Sequence, residues 1–336
     1  MPLKIAVDAM GGDFAPTEAV KGALVVARER PDIEIVLVGR EAVISETLNA
    51  LSDVPASVTI RSAEQTIEMG EHPVQATRRK RESSLVVAGL MVKSGEADAT
   101  FSAGSTGAAM AIATLDIGRI PGIERPALAT GIPTIQGRAL LLDAGANVDC
   151  STRNLRQFAL LGAIYAERVL GVPNPKLGLL NIGSEESKGN ELAKEAHQLL
   201  KSTSLNFCGN VEGKDVFEHA VDVVVCDGFW GNILVKSGEG MAEMVFDLLH
   251  RMTETEPEIA SSQAVLDRLF RQLAQQIHYS EFGGATLLGV NGVSVIGHGR
   301  SDAKAIAGGI RAAIDAAAGG YVQAIRDALP AFESKA

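Results

Sequence analysis

Residues 4–39 read KIAVDAMGGDFAPTEAVKGALVVARERPDIEIVLVG. Lys4–Val7 is a short apolar run that fits a strand. Thr17–Ala27 reads as a helix, with Thr17 as its N-cap and Val20, Ala23, Leu24 and Ala27 on one face. Ile33–Val38 is a second strand that stops at Gly39. Strand, helix, strand with unbroken apolar strands is the pattern of a parallel sheet covered on both faces. The expected class is therefore α/β, in α/β/α layers. The pattern continues outward. Val58–Ile60 is a short strand, and His72-Pro73 opens a long helical stretch to about Ser94. Ala97–Ser102 is a strand, and Ala108–Gly118 is a helix. Leu140–Asp143, Leu177–Asn181 and Val221–Cys226 are further strands. Each stops at a glycine-rich or polar cluster, which places functional loops at the carboxyl edge of a sheet.

Composition narrows the function. The chain has 336 residues, 46% of them hydrophobic, enough for one large core or two linked ones. No linker or repeat divides it, so residues 1–336 read as a single catalytic unit of two closely linked lobes. Aromatics are only 4%, so aliphatic side chains fill the interior. A formal charge of −10 argues against a broad electropositive surface, and nucleic acid is not an expected partner. Cys150, Cys208 and Cys226 are far apart and odd in number, which suits neither a disulfide framework nor a zinc cluster. The N-terminus lacks an apolar signal region, and no run of eighteen apolar residues occurs. Cytoplasmic location is the default.

Residues 236–278 differ from the rest. Met241, Met244, Val245, Leu248, Leu249 and Met252 recur at helical spacing. After a turn near Pro257, Val265, Leu269, Leu273 and Ile277 do so again. This reads as a helical hairpin, packed on the domain or on a partner subunit. The sharper alternative is contact with a membrane or an acyl chain, although the hairpin lacks a basic polar face.

Several segments carry groups suited to chemistry. After the first strand, Gly11 and Gly12 let backbone approach closely, flanked by Asp8 and Asp13. This is neither a dinucleotide fingerprint nor a Walker motif. In Val74–Leu85 (VQATRRKRESSL), a continuous helix would align Arg78 and Arg81 with Val74, Leu85, Ala88 and Val92. Two guanidiniums on an apolar face need an acid or an anionic ligand, and phosphate suits them. In SAGSTGA, Gly104, Ser105, Thr106 and Gly107 can form an amide nest for phosphate or an oxyanion. A capped turn is the plain alternative. Asp143 and Asn147, in LLDAGANVD, can orient a cation or pair with the arginines, but lack calcium or magnesium spacing. Glu185, Lys188 and Asn190 follow another strand. So does Asp227, with Gly228 and Gly231 relaxing a loop that contains Trp230 and Asn232. His298, in GHGRS, is a proton donor or a local structural hydrogen-bond partner.

Taken in order, VDAMGGDFAP, RRKRESS, SAGSTGA, ERPALA, LLDAGANVD, LLNIGSEESKGNE, GNVEGKD, VDVVVCDGFWGN, FGGATLLG and HGRSD resemble the bacterial phosphate acyltransferases that use acyl-acyl carrier protein. The resembling segments span residues 5–302. The resemblance implies an architecture similar to isocitrate and isopropylmalate dehydrogenases and phosphate acetyltransferases. It implies acyl transfer from acyl carrier protein to orthophosphate, with the acyl phosphate feeding a membrane glycerol-3-phosphate acyltransferase. It also implies a cytoplasmic homodimer with peripheral membrane contact and a projecting helical region. No cofactor or metal is implied. Ser105 departs from the family, which commonly has asparagine there.

Phosphate is itself a nucleophile, so direct attack on the thioester requires no catalytic serine or cysteine. Arg78 and Arg81 would orient it. Amides around Gly104–Gly107 and Asn232 would stabilise the oxyanion. Asp8, Asp13, Asp227 and His298 are candidates for proton handling or positioning. Three other readings stand beside this one: a nicotinamide-dependent hydroxy-acid dehydrogenase, a noncatalytic carrier- or lipid-binding protein, and an acyl enzyme on Cys226.

Overall fold

The computed structural model describes residues 2–255, 265, 268–269, 272–273 and 284–334. Eleven strands form one sheet: β1 (Lys4–Asp8), β2 (Glu34–Gly39), β3 (Val58–Ser62), β4 (Ala99–Ser102), β5 (Ala127–Thr134), β6 (Gly137–Leu142), β7 (Leu177–Leu180), β8 (Phe207–Val211), β9 (Val223–Val225), β10 (Ala285–Leu288) and β11 (Val293–Ile296). Their spatial order is β3-β2-β1-β4-β11-β10-β5-β6-β9-β7-β8. The expected α/β layering is observed, but the sheet is mixed. Strands β1 to β4 and β11 run parallel with one another, as do β6 to β9. The antiparallel pairs β11–β10, β10–β5 and β5–β6 join the two sets, which therefore run in opposite directions.

The register decides where the loops go. Val225 pairs with Leu142, Leu142 with Ala129, Ala129 with Thr286, and Thr286 with Val295. Val295 pairs with Phe101, and Phe101 with Val7. Both parallel sets thus reach their carboxyl ends on the same row, arriving from opposite sides. The loops after β4 and β11 therefore share a cleft with those after β6 and β9.

Helices cover both faces. On one lie α1 (Thr17–Glu29), α6 (Thr152–Arg168), α7 (Glu191–Lys201), α10 (Ala303–Gly319) and α11 (Tyr321–Glu333). On the other lie α3 (Pro73–Arg79), α4 (Ser84–Ser94), α5 (Thr106–Ile112) and α8 (Gly213–Phe217). Helix α2 (Glu41–Asn49) follows β2, and α9 (Gly228–Thr255) follows β9. Strand side chains alternate between the layers. Ile5 and Val7 pack on one side and Ala6 on the other; Leu140 and Leu142 oppose Leu141 in the same way. Unbroken apolar runs are needed because both faces are buried.

Three local expectations are corrected. Thr17 is the first helical residue of α1, and Pro16 occupies the cap position without a side-chain bond. The stretch from 73 to 94 is two helices. Lys80 leaves helical geometry, and its ammonium binds the carbonyl of Thr66 and the carboxylate of Glu71. Backbone bonds between Gln65 and residues 82 and 84 hold the break open, and Ser83 starts α4. Gly228–Asn232 is the first part of a 28-residue helix rather than a loop. Residues 236–255 of that helix occupy the stretch expected for the first arm of the 236–278 hairpin. The turn near Pro257 and most of the return segment lie outside the described residues.

Candidate active site

The two glycine loops of the first half interlock. The Ser102 hydroxyl donates to Asp8 at 2.7 Å, and the Gly104 amide donates to the Ser102 hydroxyl at 3.0 Å. Asp8 also accepts the Met10 amide at 3.1 Å. A methyl group on Gly11 would lie 2.6 Å from the Asp8 carboxylate and 2.7 Å from the Gly104 nitrogen, so only glycine fits. Burial pushes the Asp8 carboxyl above its usual range, against hydrogen bonds from Ser84, Ser102 and two backbone amides. Gly12 has φ of +103°, and the exposed Asp13 donates its amide to the Gly299 carbonyl at 2.8 Å. The loop carrying His298 is thereby tied to the first one.

Ser105 caps α5, accepting the Ala108 amide at 3.4 Å. Its hydroxyl is buried in that role, while the next residue, Thr106, is exposed and lines the cleft. Gly107 packs against Pro73 of α3, where a Cβ would come within 2.7 Å of the ring.

In the second half, Asp143 is fully buried. One oxygen accepts the amides of Leu128, Gly145 and Ala146 at 3.0, 3.2 and 3.0 Å. The other accepts the backbone and side-chain N–H groups of Asn147 at 2.7 and 2.8 Å. The carboxylate is thus saturated by this chain and pairs with neither arginine. Asp227 caps α9, accepting the Trp230 amide at 2.9 Å, and burial raises its carboxyl above the ordinary value. Gly228 and Gly231 serve packing. A Cβ at Gly228 would meet the Asn147 backbone at 2.8 Å, and one at Gly231 would overlap the Asp143 carbonyl oxygen. Burial, then Asp143 and Asp227, holds the Cys226 thiol well above its normal value. That is the opposite of an activated nucleophile.

Between these groups opens a cleft of about 930 Å³. Its polar groups include Thr106, Asn232, Lys236, Glu239, His298 and Ser301; its walls are mostly apolar, from β5, Phe217 and the α9 face at Met241, Ala242 and Val245. Lys236 pairs with Glu239 at 2.7 Å. Burial, then the charges of Lys236 and Arg300, lowers the His298 pKa. That direction favours the neutral imidazole. Its Nδ1 accepts the Arg300 amide at 3.2 Å, which leaves Nε2 as the protonated nitrogen.

The sequence candidates divide accordingly. Thr106, Asn232 and His298 line one cleft; Asp8, Gly11 and Gly104 pack on one another outside its lining, as do Asp143, Asn147, Gly228 and Gly231, and Asp227 is also outside it. Arg78 and Arg81 are exposed and absent from the lining, and the helix break removes their shared face. Arg81 forms a two-pronged pair with Asp116 at 2.9 and 3.0 Å. Glu185, Lys188 and Asn190 stand in an exposed loop beside β7, outside the cleft lining, with Asn190 capping α7. Lys236, Glu239 and Ser301 went unread as site residues. Lys236 lies one helical turn beyond Asn232, a spacing that is legible once Gly228 starts a helix.

Residues 3–324 match the family model described as Fatty acid synthesis protein. A curated phosphate acyltransferase of Desulfitobacterium hafniense is 50% identical over 331 residues, covering 98% of both chains. That of Moorella thermoacetica is 48% identical over 333 residues, covering 99% of this chain and 98% of its own. The chain belongs to the phosphate acyltransferase family. It is an enzyme of that family, and the family's fold extends to distant structures. A phosphotransacetylase from Streptococcus pyogenes aligns with a TM-score of 0.65 at 17% identity, over 96% of this chain and 94% of its own. A 4-hydroxythreonine-4-phosphate dehydrogenase from Klebsiella pneumoniae aligns at 0.54 and 13% identity, over 94% and 100%. These likenesses concern the fold alone. Among the described residues no helix is long and apolar enough to cross a membrane, and no cluster of metal-ligating side chains occurs.

Proposed function

We propose that the enzyme transfers a fatty acyl group from acyl carrier protein to orthophosphate. The carrying observation is one cleft with polar groups from both halves and a long apolar wall along α9. Phosphate chemistry needs the first, and an acyl chain needs the second.

In this reading a phosphate oxygen attacks the thioester carbonyl. The new C–O bond forms, the tetrahedral oxyanion collapses, and the C–S bond breaks. Monohydrogen phosphate gives up its proton, which ends on the departing thiolate, so charge balances without a metal or an acyl enzyme. The Nε2–H of neutral His298 and the Asn232 amide donate to the developing oxyanion. Lys236, paired with Glu239 inside the same cleft, would turn its charge to phosphate by exchanging that partner. Asp8 and Asp143 hold the backbone around these groups. The two halves work as one catalytic unit. Exposed Arg78 and Arg79 remain available to an acidic carrier protein, while Arg81 fixes the end of α3 through Asp116.

The same reading makes the product a substrate for a membrane glycerol-3-phosphate acyltransferase in phospholipid synthesis. It takes the enzyme as a cytoplasmic homodimer with peripheral membrane contact. The exposed Met241, Met244 and Leu248 of α9 support an apolar partner for that helix. The decisive experiment incubates purified enzyme with acyl-acyl carrier protein and labelled phosphate. Labelled acyl phosphate and free carrier thiol should appear in equal amounts. Absence of the labelled product, or a tenfold preference for acyl-coenzyme A (~1.4 kcal/mol), would overturn the reaction or the donor assignment respectively.

A further inference from the structure

We infer that Asp143 is a positioning residue that sets the start of α9, and with it Asn232, against the cleft. The catalytic consequence rests on the proposed acyl transfer; the positioning itself does not.

The argument begins with the bonds of one buried side chain. Asp143 gathers amides from both sides of the β5–β6 pair: Leu128 at the start of β5, and Gly145, Ala146 and Asn147 after β6. Ala144 and Gly145 line the cleft. Asn147 passes the constraint onward. Its side-chain amide donates to the Pro126 carbonyl at 2.8 Å, and its own carbonyl accepts the Gly228 amide, the first of α9, at 2.7 Å. Gly231, one turn along, lies so close to the Asp143 carbonyl that no side chain fits between. Asn232 follows, with its side chain against Gly145. A buried carboxylate that accepts five N–H donors is held by those donors, and they are held by it.

Asp143→Asn probes this selectively. The amide oxygen can still serve Leu128, Gly145 and Ala146. The amide nitrogen then faces two donors of Asn147, a conflict that displaces Asn147 and the α9 start. Trp230, the sole tryptophan, lies in that first turn and reports its position by fluorescence independently of activity.

The experiment compares wild type, Asp143→Asn, Asn232→Ala and the double variant by circular dichroism, Trp230 emission with acrylamide quenching, and acyl-phosphate turnover. Asp143→Asn should keep native circular dichroism, alter Trp230 quenching and lower kcat by about 10- to 100-fold. In the Asn232→Ala background it should cost less than about threefold, because the group it positions is gone. Unchanged quenching overturns the inference, as does a full multiplicative loss in the double variant. Should Asp143→Asn fail to fold, Asn147→Ala, which leaves the carboxylate and its backbone donors intact, must show the same quenching change. If wild type makes no acyl phosphate, the reaction falls and the Trp230 result alone decides the positioning.

Discussion

At the residue scale, a few side chains in the cleft have environments that set their chemistry. His298 is the sharpest case. Burial and two nearby cations favour its neutral form, and its Nδ1 is already an acceptor. A neutral imidazole that donates through Nε2 can polarise a carbonyl without first losing a proton. Replacing it by glutamine should lower kcat by roughly 100-fold with little change in the phosphate KM. Steady-state kinetics at a saturating acyl donor would show this. The pKa direction also fixes a stability trend. As pH falls through the ordinary imidazole range, near ~6.5, the unfolded chain takes up a proton that the folded one resists, so wild type loses stability there. Melting curves across that range should show a steeper acid loss for wild type than for His298→Gln. Arg81 makes the contrary case. Its guanidinium is half-exposed and occupied by Asp116. Arg81→Ala should keep its phosphate KM within about twofold and lose no more than about 1 kcal/mol of stability, as exposed pairs do. A large rise in phosphate KM would return Arg81 to the phosphate site.

At the scale of elements, the strands were the legible part. Runs such as IAV, IVLV and VVV are apolar at every position, and only a sheet covered on both faces consumes that. The helices were less legible where tertiary bonds cut or extend them. The RRKRESS run has helical spacing, yet Gln65 captures the backbone at 82 and 84 and divides it. Ser83 and Ser84 were the available cue, since serine favours helix starts. The glycines of CDGFWGN suggested a loop because glycine usually loosens a chain. Here they allow α9 to begin pressed against Asp143 and Asn147. Gly231→Ala should therefore destabilise by about 1–3 kcal/mol or more, although alanine is the better helix former. A chemical denaturation midpoint at or above that of wild type would refute the packing argument.

At the scale of the whole molecule, the two parallel sets end on one row of the sheet, and the cleft follows from that register. The cleft is mostly apolar along β5 and α9, as a pocket for an aliphatic chain must be. Its length should set the tolerated acyl chain. Ala242 lines the wall with little bulk of its own. Ala242→Trp should reduce kcat/KM for long-chain donors at least about tenfold more than for short ones, a difference of ~1.4 kcal/mol. A donor series of increasing chain length measures it, and a uniform loss across the series would contradict it.

What the sequence determined by itself was local. It specified the apolar strands, the glycine loops that follow them, and the order of motifs that marks the family. Those features depend on neighbours a few residues away, through side-chain alternation, turn geometry and backbone freedom. Tertiary structure alone decided which loops face one another. The antiparallel joint at β5, β6 and β10 reverses one half of the sheet; β5–β6 is a local hairpin, but the β10–β5 pairing that closes the joint unites segments far apart in the sequence, and no local pattern encodes it. Only that joint brings His298, Asn232, Lys236 and Thr106 to one cleft. Asp143 shows the same division. Its place at a strand end was readable, but its five donors come from segments that only the folded sheet assembles.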